Sequence, residues 1–164
     1  MKSNSIRPRL SVSMTSFDYL LEFIALVGLF CLFYFTFNFY TYSPDIIPVH
    51  FDLEGNADRY GSKTELILIL VISSLLYTGI SVLQKYPHLY NYPFEIRENN
   101  ALYQYTLAVR LLRVLKVVII WIFFTILYTV RSGTDSFSGI LIVMYVGVFL
   151  TVMISYFILA SKHT

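Results

Sequence analysis

Four stretches of this chain are too long and too apolar to belong to a water-soluble fold of this size. They run from about Phe17 to Tyr42, Thr64 to Leu83, Ala108 to Val130, and Phe137 to Ala160. Each is near or above the roughly 20 residues that an α-helix needs to cross about 30 Å of hydrocarbon. Lipid offers the backbone no hydrogen-bond partner, so a segment that crosses it closes its bonds internally as a helix. The expected fold class is an all-α membrane protein. Four transmembrane helices form a single domain over residues 1–164, with a structured extracytoplasmic loop, 43–63, between helices 1 and 2. Composition points the same way: 57% of the 164 residues are hydrophobic and 13% charged, against about 45–50% and about 25% in soluble domains.

The basic start (Lys2, Arg7, Arg9) invites comparison with a signal peptide. A signal core is about 7–15 residues and ends at small residues. Here the first apolar run ends in Phe37-Asn38-Phe39-Tyr40, so a retained helix is expected. The one cysteine, Cys31, lies inside that run and reads as a small buried hydrophobe. Net charge is only +2 and no basic stripe is interleaved with aromatics, so no nucleic-acid partner is expected. The expected partner is the lipid bilayer, with a cytoplasmic protein or another membrane protein as further possibilities. Oligomeric state is not legible.

Lys and Arg fall unevenly about the four helices. Lys2, Arg7, Arg9, Lys85, Arg97, Arg110, Arg113, Lys116 and Lys162 gather on one side, and only Arg59, Lys63 and Arg131 on the other. Cytoplasmic loops carry the excess of Lys and Arg. Both termini and the loop between helices 2 and 3 are therefore expected in the cytoplasm, with residues 43–63 outside. The charge-free part of helix 3 starts at Val117, too late to cross before Arg131, so Arg113 and Lys116 are expected at the cytoplasmic boundary. Asp18 and Glu22 are four apart, on one face of helix 1 at the same depth. An ion pair between Glu22 and Arg113 or Arg110 is one expectation. Basic chains snorkelling to the headgroups are the other.

Two loops carry further information. In the outer loop Pro44 stops helix 1. From Pro48, Val49, Phe51 and Leu53 alternate with His50, Asp52 and Glu54, the period of an extended strand with one face buried. Gly55-Asn56 and Tyr60-Gly61-Ser62 are turn signals. A structured cap is expected, presenting His50, Asp52 and Glu54, with Asp58 close behind. These could form a divalent-metal site, a proton-sensing or ligand-binding surface, or simply a solvated face; no metal or other cofactor is expected. In the inner loop, Pro87 and Pro93 break regular structure, and Glu95 and Glu98 favour a helix start before the membrane.

The outer loop resembles a bacterial membrane family, domain of unknown function 1648, whose hallmark is similar to Pro44, Asp45, Ile47, Pro48, His50, Phe51, Gly55, Asp58, Gly61, Ser62 and Lys63. The inner loop resembles the same family at Pro87, His88, Asn91, Tyr92 and Pro93, then Glu98 and Asn99. The resemblance implies a bacterial inner-membrane location without a settled activity. Some members of that family are similar to immunity proteins that protect a bacterium from its own secreted killing peptide, and such proteins can signal by sequestering a repressor. It marks His50, Gly55 and Asp58 as motif positions, with Asp52 and Lys63 beside them as a candidate sensing loop.

The leading functional expectation is a non-enzymatic membrane protein that senses or resists an external agent such as an antimicrobial peptide. The alternative is a small transporter or transporter subunit, for which polar residues at mid-depth are few: Ser73, Ser74, Thr78, Thr125 and Ser155. An enzyme is not expected. Ser43 and Ser62 neighbour His50 only by position, and no nucleophile elbow, zincin pattern or phosphate loop occurs.

Overall fold

The computed structural model describes residues 7–52, 56–132 and 139–162. Helix α1 spans Ser16–Tyr42, strands β1 and β2 span Ile46–Phe51 and Ala57–Ser62, and α2 spans Glu65–Leu83. A single 3-10 turn, Pro87–Leu89, precedes α3 (Ala101–Ser132) and α4 (Gly139–Ser161). All four helices are long and apolar enough to cross a membrane. The chain is a multi-pass membrane protein with a small two-stranded sheet between its first two helices.

Local chemistry sets the helix limits. Thr15 caps α1 in a capping box, its hydroxyl accepting from Asp18 N while the Asp18 carboxylate accepts from Thr15 N at 2.8 Å. Ser43 ends the helix and Pro44 forbids its continuation. α1 has 27 residues, about 40 Å at 1.5 Å each. α3 has 32 residues, about 48 Å by the same rise, so it overhangs the membrane. It starts seven residues before the apolar stretch that opens at Ala108, as the acidic lead-in suggests. The expected α4 start at Phe137 and the turn after Ser132 lie outside the described residues.

α3 is the hub, touching α1, α2, α4, β1 and the 3-10 turn. Its buried residues recur at helical spacing: Ala101, Gln104, Tyr105, Ala108, Val109, Arg113, Lys116, Ile120, Leu127 and Val130. Large apolar side chains of α1 and α2 such as Phe23, Phe30, Phe37 and Leu75 point outward instead. Lipid-facing helices reverse the water-soluble pattern in this way, because charged groups are costly against hydrocarbon and retreat to the interior. α1 approaches α3 closely at Gly28, where an added Cβ would stand 2.9 Å from Ile120 Cγ2 and 3.1 Å from Trp121 Nε1. Small residues permit such close helix contact where no hydrophobic effect drives association. α4 is held by side chains of α3. Thr125 Oγ1 lies 2.5 Å from the Tyr145 hydroxyl. Gln104 Nε2 donates to the Ala160 carbonyl at 2.8 Å, satisfying an acceptor that the end of α4 leaves open.

The helices alternate in direction. The hairpin and the C-terminal end of α3 share one end of the molecule. The start of α1, the start of α3 and the end of α4 share the other.

Candidate functional site

The hairpin is seated on the helix ends by one apolar face. β1 pairs antiparallel with β2, from Ile46 opposite Ser62 to Phe51 opposite Ala57, with irregular register around His50. Alternation puts Ile47, Val49 and Phe51 on one side. Ile47 is buried with Leu32 of α1, Leu66 of α2, and Leu127 and Val130 of α3, and Val49 and Phe51 pack against that cluster. The expected one-sided strand is therefore found, starting two residues earlier, at Ile46 rather than Pro48.

On the other face His50 Nδ1 lies 2.6 Å from Asp58 Oδ1, both side chains largely open to solvent. The irregular register brings these two together across the hairpin. Asp52 does not join them. Its carboxylate accepts from Asn56 N at 2.9 Å and from Asn56 Nδ2 at 3.3 Å, which orders the turn instead. Lys63 turns back over α1, with Nζ 3.1 Å from Asp45 Oδ1, 3.3 Å from the Ser43 carbonyl and above the Tyr40 ring. Gly55 lies outside the described residues, as do Leu53 and Glu54. The Ser62 hydroxyl is engaged at the start of α2, accepting from Thr64 N at 3.2 Å. Among the described residues no group of three or more His, Cys, Asp or Glu is placed to hold a metal ion.

The opposite end holds a second polar cluster, inside the helix contacts. Asp18 is fully buried, with Oδ1 2.8 Å from Arg113 Nη1 and 3.3 Å from Arg110 Nε. Glu22 Oε2 lies 2.5 Å from Lys116 Nζ, and Glu22 Oε1 is 3.6 Å from Arg113 Nε. Lys116 also donates to Ser81 Oγ at 2.9 Å and lies over the Tyr77 ring. The main partner of Glu22 is thus Lys116, with Arg113 second; Arg110 goes to Asp18. Lys116 is buried rather than snorkelling.

Residues 26–75 match the family model described as Domain of unknown function (DUF1648). The match covers most of α1, the whole hairpin and the first half of α2, so the His50–Asp58 pair lies within the DUF1648 segment and the ion-paired end outside it. The inner-loop motif follows that segment. No curated protein and no solved structure matches the chain.

The inner-loop residues do not converge as the DUF1648-like motif at the hairpin does. Tyr92 is buried in a core with Ile96, Ala101, Tyr105 and Ala108, its hydroxyl donating to the Pro87 carbonyl at 3.0 Å. Burial pushes its hydroxyl pKa well above the usual tyrosine value. It also pushes that of Tyr90, stacked on Tyr92, up to about 12. Asn91, Pro93, Glu98 and Asn99 are exposed, and His88 contributes an edge contact to the Tyr86 ring. The residue that orders the loop is Asn100, whose Oδ1 accepts from Arg97 N at 2.8 Å and whose Nδ2 donates to the Glu95 carbonyl at 3.1 Å. An Asn directly before an apolar helical run is a cap signal that could have revealed it. Arg7 closes the loop, donating to the Tyr90 carbonyl at 2.5 Å with its guanidinium over the Tyr92 ring.

Proposed function

We propose that this chain is a non-enzymatic protein of a bacterial inner membrane whose hairpin faces outward and senses, or protects against, an external agent such as an antimicrobial peptide. The excess of Lys and Arg at the ion-paired end supports placing that end, and both termini, in the cytoplasm. One observation carries the reading. The apolar underside of the hairpin shares a single core with Leu127 and Val130 of α3, and the same unbroken helix bears Arg113 and Lys116 about midway along its length. A displacement of the hairpin therefore acts on one continuous helix that emerges among the inner-loop residues, where a cytoplasmic partner such as a repressor would be engaged. The likeness of some DUF1648 proteins to killing-peptide immunity proteins fits this role.

The test replaces His50 with Ala and Asp58 with Asn, verifies membrane insertion, and challenges cells with peptide antibiotics. Reduced survival or an altered transcriptional response is expected. Unchanged survival together with unchanged transcription would overturn the proposal.

The buried Lys116, paired with partly exposed Glu22, favours a second reading, a small transporter or transporter subunit, since buried ionisable groups in membrane helices mark ion or substrate paths. Solute uptake into proteoliposomes that Lys116→Met abolishes would select it.

A further inference from the structure

Beneath the hairpin lies a crevice of about 250 Å³, smaller than the roughly 300–1,000 Å³ of small-molecule sites. It has room for a large apolar side chain rather than for a whole cofactor. Its walls are apolar: Ile47 and Val49 of β1, Leu66 and Ile69 of α2, and Ile126 and Val130 of α3. Two charged residues, Arg59 and Glu65, complete the lining. They pair at 3.3 Å with side chains 61% and 40% exposed, so both are open to a partner arriving from solvent. Glu65 reaches this place because residue 61 is a glycine, where an added Cβ would overlap its Oε1. From Glu65 to Ile69 the helix α2 descends about 6 Å, at 1.5 Å per residue. Amphipathic chains lying on a bilayer bury their apolar face about 5–10 Å deep. The crevice therefore sits at the depth where such a face travels.

We infer that this crevice receives an apolar side chain of a cationic amphipathic peptide, while a neighbouring lysine or arginine of that peptide replaces Arg59 at Glu65. The inference rests on the outward placement of the hairpin and names the chemistry of the agent it meets. Charge selects the occupant. Residues 43–65 carry five carboxylates against two basic side chains, although the whole chain is +2. A field of that sign gathers cations and repels anions. Arg59 by itself would suit an anion such as a lipid phosphate, but the acidity around it opposes one. An exposed ion pair is weak, so exchanging Arg59 for a peptide cation costs little, and burial of the apolar side chain supplies the drive. Ile47, Leu66 and Val130 belong to the core that seats the hairpin. An occupant therefore alters that seat directly.

The test uses the full-length protein in phosphatidylcholine nanodiscs. It is irradiated with a synthetic leucine–lysine peptide that carries photo-leucine, and the crosslinked sites are mapped by mass spectrometry. Crosslinks are expected to concentrate on residues 47–49, 65–69 and 126–130. Glu65→Gln keeps the shape and removes the charge, and is expected to lower their yield about threefold to fivefold, the scale of a half-exposed ion pair. Ile69→Trp fills the crevice and is expected to lower it at least about tenfold. Should one variant fail to fold, the other decides. Crosslinks spread evenly over the lipid-facing side chains of α1 and α4, or undiminished in a folded variant, overturn the crevice as the site. A peptide with glutamate in place of lysine that crosslinks as strongly overturns the cationic partner and points to an anion at Arg59. The readout is binding to isolated protein, so its failure is distinct from failure of the sensing reading, which survival and transcription decide.

Discussion

Lys116 Nζ lies 2.5 Å from Glu22 Oε2 while the lysine side chain is 1% exposed. A charge so placed depends on its partners, here Glu22, Ser81 and the Tyr77 ring. Removing one member of a buried pair typically costs about 3–5 kcal/mol, because the other is stranded, whereas replacing both by apolar groups is often close to neutral. Glu22→Leu and Lys116→Met are each expected to lower the unfolding temperature of the detergent-purified protein sharply. The double variant should recover most of the loss. Additive losses would contradict a direct pair.

The two arginines that share Asp18 should behave differently. The Arg113 side chain is 6% exposed and that of Arg110 36%. Arg113→Ala uncovers a fully buried carboxylate and is expected to reduce folded protein strongly. Arg110→Ala loses a partly solvated contact, worth about 0–1 kcal/mol when exposed. Thermal unfolding of the two variants side by side gives the order.

Gly28→Ala forces α1 away from Ile120 and Trp121, and overpacking of this kind costs about 1–3 kcal/mol. At Gly79 and Gly147 an added Cβ meets nothing within 4 Å. Alanine there should be neutral or stabilising by about 0.5–1 kcal/mol, the ordinary helix preference. Unfolding temperatures of the three variants separate a contact glycine from two that face open space.

High pH should loosen the inner loop. Burial raises the folded-state pKa of Tyr90 from 10.0 to about 12, and Tyr92 shifts in the same direction. The fold favours the neutral phenols, so their contribution is fully present below the unfolded value near pH 10. It is lost as pH rises through about 12. Absorbance titration of tyrosinate should show late-ionising groups, one of them lost in Tyr90→Phe and another in Tyr92→Phe.

The membrane helices were legible because length and hydropathy alone decide them, and β1 from Pro48 onward because Val49 and Phe51 alternate with His50 and Asp52. β2 was not anticipated: Asp58-Arg59-Tyr60 is an exposed run without a buried apolar face, and it becomes a strand through its pairing with β1. The shared depth of Asp18, Glu22 and Arg113 could be read from helix spacing. The role of Lys116 could not, since a long lysine stem allows either burial or snorkelling, and only the positions of Ser81 and Tyr77 decide between them. At the hairpin, alternation put Asp52 on the His50 face together with Glu54, and Asp58 only close behind. The register separates them, giving Asp58 to the imidazole and Asp52 to the turn.

Sidedness underlies the proposed outward sensing, and cysteine labelling measures it most directly. In a Cys31→Ser background, Tyr60→Cys places a thiol on the exposed hairpin and Asn99→Cys one on the exposed inner loop. Intact cells are treated with a membrane-impermeant maleimide. Labelling at position 60 and protection at position 99 until the cells are lysed is the expected result. Labelling at 99 with protection at 60 would place the hairpin in the cytoplasm and contradict an outward-facing sensor.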